Sequence, residues 1–211
     1  SSYANGKTKV VFVQLGSPKS PKVSDVRAFL KEFLVDPRVV DINPILWKII
    51  LYLFILPFRP KRSAFLYSRI WDGESFPLIT ITKKFTDRVR SNLTSPKVEV
   101  NHAFLLSDPR VSEIWDDWEK DPMPATKLKI IPLFPQYSEA TIASGLDALG
   151  HEIKKRVKIP EISVVTNFHT SKALSQDVFI MEVEVPPNKK DLVRLKDSYG
   201  REGKGYEGTN M

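Results

Sequence analysis

The sequence has no cysteine, and only three histidines and nine glycines among its 211 residues. The absence of cysteine excludes disulfides, thiol catalysis, and zinc or iron–sulfur sites with cysteine ligands. No two histidines have the spacing of a helical metal-binding pair, and the sequence contains neither a glycine-rich phosphate loop nor a G-x-S-x-G motif. Local motifs therefore give no support to nucleotide binding, a paired-histidine metal site or serine hydrolase chemistry.

The charge balance is basic, with 32 Lys+Arg against 25 Asp+Glu and a net charge of +7. This charge favours an anionic partner such as a phospholipid surface, nucleic acid or an acidic small molecule, although a basic protein without such a partner fits it equally well. The 42% of hydrophobic residues is too high for a disordered chain and is enough for one packed domain. Residues 1–9 are polar and show no secretory signal, so we expect a cytoplasmic protein.

Strand-like and helix-like segments alternate along the chain. Four short runs rich in β-branched and apolar residues predict buried strands at 9–15, 98–104, 127–133 and 162–166. The segments between them have helical periodicity, and Ser24 with Asp25 predicts the N-cap of the first helix. This order predicts an α/β fold, an open doubly wound parallel sheet with helices on both faces. We expect one domain over 8–176 and a mostly disordered tail over 177–211.

The most apolar stretch is 44–58, which only Lys48 interrupts and which we expect Pro57 to end. A transmembrane helix needs about 20 apolar residues, more than this run has. Two further interpretations are a buried core helix and an exposed apolar surface with a basic rim of Arg59, Lys61 and Arg62. Such a surface suits a bilayer or a flat ligand that is both hydrophobic and acidic, for example a porphyrin with its propionates.

A second candidate segment, 133–138, lies where a predicted strand ends and a predicted helix begins. Small hydroxyls there, from Ser138, Thr141 and Ser144, together with unpaired N–H groups, can hold an anionic group or approach a planar ring closely. The alternative is that Ser138 caps the helix and does nothing else.

Taken together, several segments resemble the ferrochelatase family, which inserts ferrous iron into a porphyrin in heme biosynthesis. They are, in order, VQLGSP at 13–18, DVRAFL at 25–30, FLVDPR at 33–38, RPKR at 59–62 with LY at 66–67 and IW at 70–71, PL at 77–78, and PLFPQYS at 132–138 followed by Thr141 and Ser144. The likeness covers roughly residues 8–170, the N-terminal half of such a protein. It implies lyase activity, with ferrous iron as a substrate and no covalently bound cofactor, and with protoporphyrin or coproporphyrin as the partner.

The resemblance also implies which residues line the porphyrin pocket: Leu15, Arg59, Tyr67, Gln136, Tyr137, Ser138 and Thr141. In the family the apolar segment before the Arg-x-Lys stretch forms the lip of the porphyrin cleft and rests on the membrane. We therefore expect residues 44–62 to contact a membrane surface, peripheral to the inner membrane, or a second copy of the chain in a homodimer. No nucleic acid partner is expected.

The resemblance is incomplete where the family keeps its catalytic groups. The family's catalytic histidine lies in a His-Gly/Ser-Ile/Leu-Pro motif and its catalytic glutamate follows later, and neither motif occurs in this sequence. No catalytic residue and no metal ligand is assigned, because nothing in the spacing of His102 or His169 argues for a substitute base. The expectation is porphyrin binding without complete catalysis. The alternatives are a non-catalytic porphyrin- or heme-binding module and a membrane-surface module.

Overall fold

The computed structural model describes residues 6–121, 124–134 and 137–166. Within them a four-stranded, all-parallel sheet has the order β2-β1-β3-β4. The strands are β1 (Thr8–Gln14), β2 (Val98–Phe104), β3 (Lys127–Pro132) and β4 (Glu161–Val164). The predicted strands are confirmed to within about two residues at each end, as is the α/β class. The predicted tail at 177–211 lies outside the described residues, and the domain boundary stays a prediction.

Six α-helices connect and cover these strands in the described part of the chain. They are α1 (Val23–Val35), α2 (Pro44–Ile50), α3 (Leu56–Ser68), α4 (Pro77–Asn92), α5 (Val111–Lys120) and α6 (Ser144–Lys154), with π-helical turns at Leu51–Ile55 and Glu139–Ala143. Strand β1 is buried on both faces. Its consecutive residues Val11, Phe12 and Val13 are all buried, and successive side chains of a strand point to opposite sides. On one face the Phe12 ring lies 4.9 Å from Phe85 of α4. On the other, Val11 and Val13 belong to the core formed with α5 and α6. Helices therefore cover both faces, as predicted.

Two arginines fasten helices at the periphery. Strand β2 is an edge strand, and the Arg90 guanidinium of α4 donates to the Val100 carbonyl at 2.8 and 3.1 Å, which blunts part of that open edge. At the end of α6, the half-buried Arg156 lies over the Trp115 ring and forms ion pairs with Glu152 at 2.6 Å and Glu119 at 2.8 Å. A guanidinium shared among carboxylates and an indole face ties α6 to α5.

Pro57 does not end the helix, contrary to the prediction. Helical structure runs without a break from Pro44 to Ser68 through the π turn. Pro60, inside α3, has no N–H to offer the carbonyl of Leu56, and the Arg27 side chain of α1 donates to that carbonyl instead, at 3.2 Å. A side chain from another helix thus replaces the missing backbone donor, and the chain stays helical past both prolines.

The prediction that Ser24 and Asp25 form the N-cap of α1 is also wrong. Helix α1 begins at Val23, with Lys22 as its N-cap residue and no side-chain cap. Asp25 instead lies in the first turn and accepts a hydrogen bond from the Ser20 hydroxyl at 2.6 Å. A carboxylate in this turn is favourable because it faces the positive end of the helix dipole.

The turn after β1 depends on Gly16. Its φ is 101°, in the region that disfavours L side chains, and a Cβ there would lie 2.3 Å from the Ser107 hydroxyl oxygen and 3.1 Å from the Ser107 backbone nitrogen. The Ser107 hydroxyl in turn binds both backbone groups of Ser17, accepting from its N–H at 2.8 Å and donating to its carbonyl at 2.7 Å. Glycine is therefore required where two strand-end loops touch.

We predict that Gly16→Ala lowers the free energy of unfolding by about 1–3 kcal/mol, from the strained φ and the displaced Ser107. Gly150→Ala is the matched control, because it lies inside α6 and an added Cβ would meet nothing within 4 Å. That change should be neutral or stabilising by up to about 1 kcal/mol. Urea unfolding of both variants measures the difference, and equal effects would contradict the assignment of Gly16.

Candidate functional site

The carboxyl ends of β1 and β3 form the switch point of the sheet. The chain leaves β1 toward one edge, to β2, and leaves β3 toward the other, to β4, so a crevice opens between the two departing segments. The loops after β1 and β2 are joined at their base. The N–H of Leu105 donates to the Gln14 carbonyl at 3.0 Å and that of Leu106 donates to the Leu15 carbonyl at 2.9 Å. Leu15, a predicted porphyrin-binding residue, is held half-buried at this position.

A pocket of about 100 Å³ opens beside Leu15 between α1 and α6; we call it the α1–α6 pocket. Its apolar lining is Leu15, Phe33, Leu105, Leu106, Ala140 and Ala148, and its polar lining is Glu32, Asp36 and Ser144. A ligand site for a whole drug-sized molecule occupies about 300–1,000 Å³. This pocket therefore has room for the edge of a large ring and not for the ring itself.

Two exposed ion pairs border the α1–α6 pocket. Glu32 of α1 holds the Arg110 guanidinium in a two-pronged contact at 2.6 and 3.1 Å. Arg38, just after α1, makes the same kind of contact with Asp147 of α6 at 2.8 and 3.3 Å. Two-pronged arginine–carboxylate pairs define orientation as well as distance. They tie α1 to the start of α5 on one side and to α6 on the other.

Arg59 and Tyr67, two further predicted site residues, both lie on α3. The Tyr67 ring packs edge-on against Phe29 of α1 at 6.2 Å and against the buried Phe76 at 5.3 Å. Burial raises the pKa of the Tyr67 phenol, and the nearby positive charge of Arg59 opposes that shift only in part. The phenol is thus protonated at neutral pH and able to donate a hydrogen bond, and the Arg59 guanidinium on the same helix is exposed.

The segment before Arg59 exposes most of its large apolar side chains. Ile45, Leu53, Phe54 and Phe58 are 74%, 61%, 63% and 72% exposed, whereas Leu51 is fully buried. Together with Leu46 and Ile49 we call these exposed side chains the apolar face. The exposure predicted for 44–58 is confirmed, and a buried core helix is wrong for all but a few of its residues; contact with a bilayer or a flat ligand stays a prediction. Among the described residues, no helix combines the length and apolarity needed to cross a bilayer.

The segment after β3 contains the remaining predicted residues. Tyr137 and Ser138 are exposed, and Ser138 precedes the π turn without a capping bond from its hydroxyl. It is the Ser138 carbonyl that serves the turn, accepting from the N–H of Ile142 at 2.9 Å and from the Thr141 hydroxyl at 3.4 Å. The Ser138 hydroxyl therefore remains available to a ligand. Gln136 lies outside the described residues.

Comparison with known proteins agrees with this geometry. A sequence model of the ferrochelatase family matches residues 7–183. The chain belongs to the ferrochelatase family. It is 40% identical over 167 residues to the ferrochelatase of Acinetobacter baylyi, covering 77% of this chain and 48% of that protein. It is 35% identical over 184 residues to the coproporphyrin III ferrochelatase of Streptococcus mutans, covering 84% of this chain and 57% of that protein. The chain spans about half the length of the curated relatives it matches.

The histidines within the described part of this ferrochelatase-family chain do not gather at the switch point. His102 is on β2, where its ring lies 5.6 Å from Phe104, and its buried Nδ1 has no hydrogen-bond partner. Burial lowers the pKa of His102, although the charge of Asp87 opposes the shift. His151 is exposed on α6. Over the described ranges, no cluster of three or more His, Asp or Glu side chains is placed to hold a metal ion. His169 lies outside those ranges.

The structure brings some predicted residues together and adds others. Leu15 and the π turn share the α1–α6 pocket, and Arg59 and Tyr67 lie two turns apart on α3, close enough for the Arg59 charge to act on the phenol. The rings of Phe33 and Phe29, 6.3 Å apart, connect the pocket to Tyr67 through α1. The pocket is also lined by Phe33, Leu105 and Leu106, which are not among the seven residues predicted to bind the porphyrin. For the two leucines the available signal was their position directly after the carboxyl end of β2.

Proposed function

We propose that this chain forms a porphyrin-binding wall of a ferrochelatase, and so takes part in the insertion of ferrous iron into a porphyrin in heme biosynthesis. The proposal rests on one observation: the apolar face, Arg59 and Tyr67 all lie on one continuous helical segment. The apolar face leads directly to Arg59, and Tyr67, whose phenol is protonated, follows two turns later on the same helix within range of the Arg59 charge. The chain's family membership makes a porphyrin the natural ligand for that combination.

The chemistry of the two helix segments matches the two parts of a porphyrin. The apolar face offers side chains that are now in contact with water and that lose this contact when a flat macrocycle covers them. Arg59 can bind a propionate by a charge-assisted hydrogen bond, and the Tyr67 hydroxyl can donate a second one. Two donors of this kind would fix one edge of the ring and thereby orient its face.

The residues after β3 complete the proposed wall. We propose that Gln136, Tyr137, Ser138 and Thr141 line the ring together with Leu15. In the described structure the Ser138 hydroxyl is exposed and the Thr141 hydroxyl donates weakly to a backbone carbonyl, so both can contact a ligand with little rearrangement. Ferrous iron is a substrate in this proposal. The groups that deliver it and remove the pyrrole protons are assigned to no residue of this sequence.

A membrane-surface role is the second candidate, and the same apolar face favours it. Its exposed side chains are bordered by Arg59, Lys61 and Arg62, all of them exposed. An apolar surface with a basic border suits a bilayer containing anionic lipids. In this case the protein would be cytoplasmic and peripheral to the membrane, with the bilayer beside the porphyrin site.

We predict that Arg59→Ala weakens the binding of protoporphyrin by about 1–3 kcal/mol, the scale of a hydrogen bond to a charged group. Absorbance titration of the free-base porphyrin measures the loss. Arg88→Ala is the matched control, because Arg88 is exposed on α4 and its removal changes the net charge equally.

The dimethyl ester of the same porphyrin provides the second arm of this test. The ester has no carboxylate for Arg59 to bind, so Arg59→Ala should leave its affinity unchanged. Equal affinities of wild type and Arg59→Ala for the free acid would remove Arg59 from the proposed site.

We predict that the chain co-sediments with vesicles containing anionic phospholipid and that Leu53→Glu with Phe54→Glu reduces the bound fraction at least about tenfold. The loss follows from the removal of two apolar groups, each worth about 1.5–3 kcal/mol when buried. Val157→Glu with Ile159→Glu is the matched control, since both residues are exposed and apolar but lie beyond α6. An equal loss in the control pair, or none in the test pair, would contradict the membrane role. Self-association abolished by the test pair without vesicles would assign the face to a homodimer.

A further inference from the structure

Strands β1 and β2 stay joined beyond the point where both of them end. The backbone N–H groups of Leu105 and Leu106 donate to the carbonyls of Gln14 and Leu15 at 3.0 and 2.9 Å, so the loop after β2 follows the start of the turn after β1. At Gly16 the φ of 101° turns the chain away from this course. Backbone pairing of this kind needs an extended chain, and it cannot continue through such a turn.

The Ser107 hydroxyl binds the turn where the backbone pairing stops. Its oxygen accepts from the Ser17 N–H at 2.8 Å, and its proton is donated to the Ser17 carbonyl at 2.7 Å. A hydroxyl has one donor and two acceptor positions, so this one side chain supplies both partners that a neighbouring backbone would supply. Ser17 is only 8% exposed, and the two residues are 90 positions apart in the sequence. We call this pair of hydrogen bonds the Ser107 latch.

The Ser107 latch lies two residues from Leu15, which is predicted to bind the porphyrin and lines the α1–α6 pocket. Both backbone groups of Leu15 are bound as well, its N–H to the Gln14 side chain at 2.8 Å and its carbonyl to the N–H of Leu106 at 2.9 Å. The turn is therefore held on either side of Gly16, and the position of the Leu15 side chain depends on both attachments.

Loss of the Ser107 hydroxyl would leave two buried backbone groups of Ser17 without a partner. A buried N–H or carbonyl without a hydrogen bond is costly, so the turn would shift until water reaches both groups. Leu15 would move with the turn, since one residue separates it from Ser17. An added gap of about 0.5–1 Å forfeits about a quarter to a half of a dispersion contact. A small shift of Leu15 would therefore weaken its contact with a ring.

We propose that Ser107 is a positioning residue of the porphyrin site: its hydroxyl fixes the turn after β1 and thereby holds Leu15 at the distance that contact with the ring requires. Ser107 acts through Leu15 and has no contact with the ring itself. This inference rests on the proposed function and adds a residue to the site that it describes. It also gives Gly16 a part in binding, because a side chain there would displace Ser107 from the latch.

The test is a double-mutant cycle of Ser107→Ala and Leu15→Ala in the full 211-residue chain, with dissociation constants for protoporphyrin from fluorescence titration. Each single change should weaken binding at least about fivefold, as for residues that share one contact. In the Leu15→Ala background, Ser107→Ala should change the dissociation constant by less than about 1.5-fold, because the contact through which Ser107 acts is already lost. Leu15→Val takes the place of Leu15→Ala if the latter leaves no measurable binding.

Ser91→Ala is the matched control for the loss of a serine hydroxyl. The Ser91 hydroxyl also donates to a backbone carbonyl, at 2.9 Å within α4, and its removal should leave the affinity unchanged in both backgrounds. Ser107→Cys replaces Ser107→Ala if that variant melts below the titration temperature, because a thiol keeps the shape of the side chain but forms only weak hydrogen bonds. It should show a smaller loss with the same dependence on Leu15.

The outcomes separate this inference from the function on which it rests. If the latch only stabilised the fold, Ser107→Ala would weaken binding by the same factor with and without the Leu15 side chain. That result, or an unchanged affinity of the Ser107 variant, would overturn the positioning role and leave porphyrin binding intact. The absence of saturable porphyrin binding by the wild-type chain would overturn both.

Discussion

The pairing of β1 with both β2 and β3 determines where the candidate binding residues lie. Strand β1 is paired on both sides and buried on both faces, and the turn at its carboxyl end requires Gly16, whose φ is 101°. The hydrogen bonds from Leu105 and Leu106 to the turn bring the end of β2 alongside. The loops after β1 and β2 and the π turn after β3 therefore converge on one pocket, although they are far apart in the sequence.

The site combines two regions of opposite character. One is the long helical segment, whose apolar face ends at Arg59 and Tyr67. The other is the α1–α6 pocket, which is apolar with an acidic rim. The aromatic contacts from Phe33 through Phe29 to Tyr67 give the two regions a common support, so their relative position depends on how α1 packs against α3.

The parts of the fold that follow from local patterns were predictable. Strand β1 lies within one residue of its predicted bounds, because most of its residues are β-branched or aromatic and a Gly-Ser-Pro turn follows it. The continuation of the helix past Pro57 and Pro60 was not predictable, since it depends on a hydrogen bond to the Leu56 carbonyl from Arg27, 29 residues earlier in the chain. The capping of the π turn by the Ser138 carbonyl was not predictable either, because the sequence rules for helix caps concern side chains.

For the site, the sequence supplied most candidate residues but not their grouping. Leu15 was placed at a strand end by its position after β1, and the structure agrees. The α1–α6 pocket could not be foreseen, because its walls come from separate segments and are held by the pairs Glu32–Arg110 and Arg38–Asp147. Ion pairs of such long sequence separation leave no local signal.

The most direct test of the account is an anaerobic titration of the 211-residue chain with protoporphyrin and ferrous iron, followed by the free-base absorption spectrum. The account predicts saturable binding of the porphyrin without its sustained conversion to the metallated form. In the proposed function the chain supplies a binding wall, and its sequence lacks the family's histidine and glutamate motifs; a missing general base alone removes a factor of about 10²–10⁴. Multiple turnovers that His102→Ala or His169→Ala abolishes, or a spectrum that does not respond to the protein at all, would contradict it.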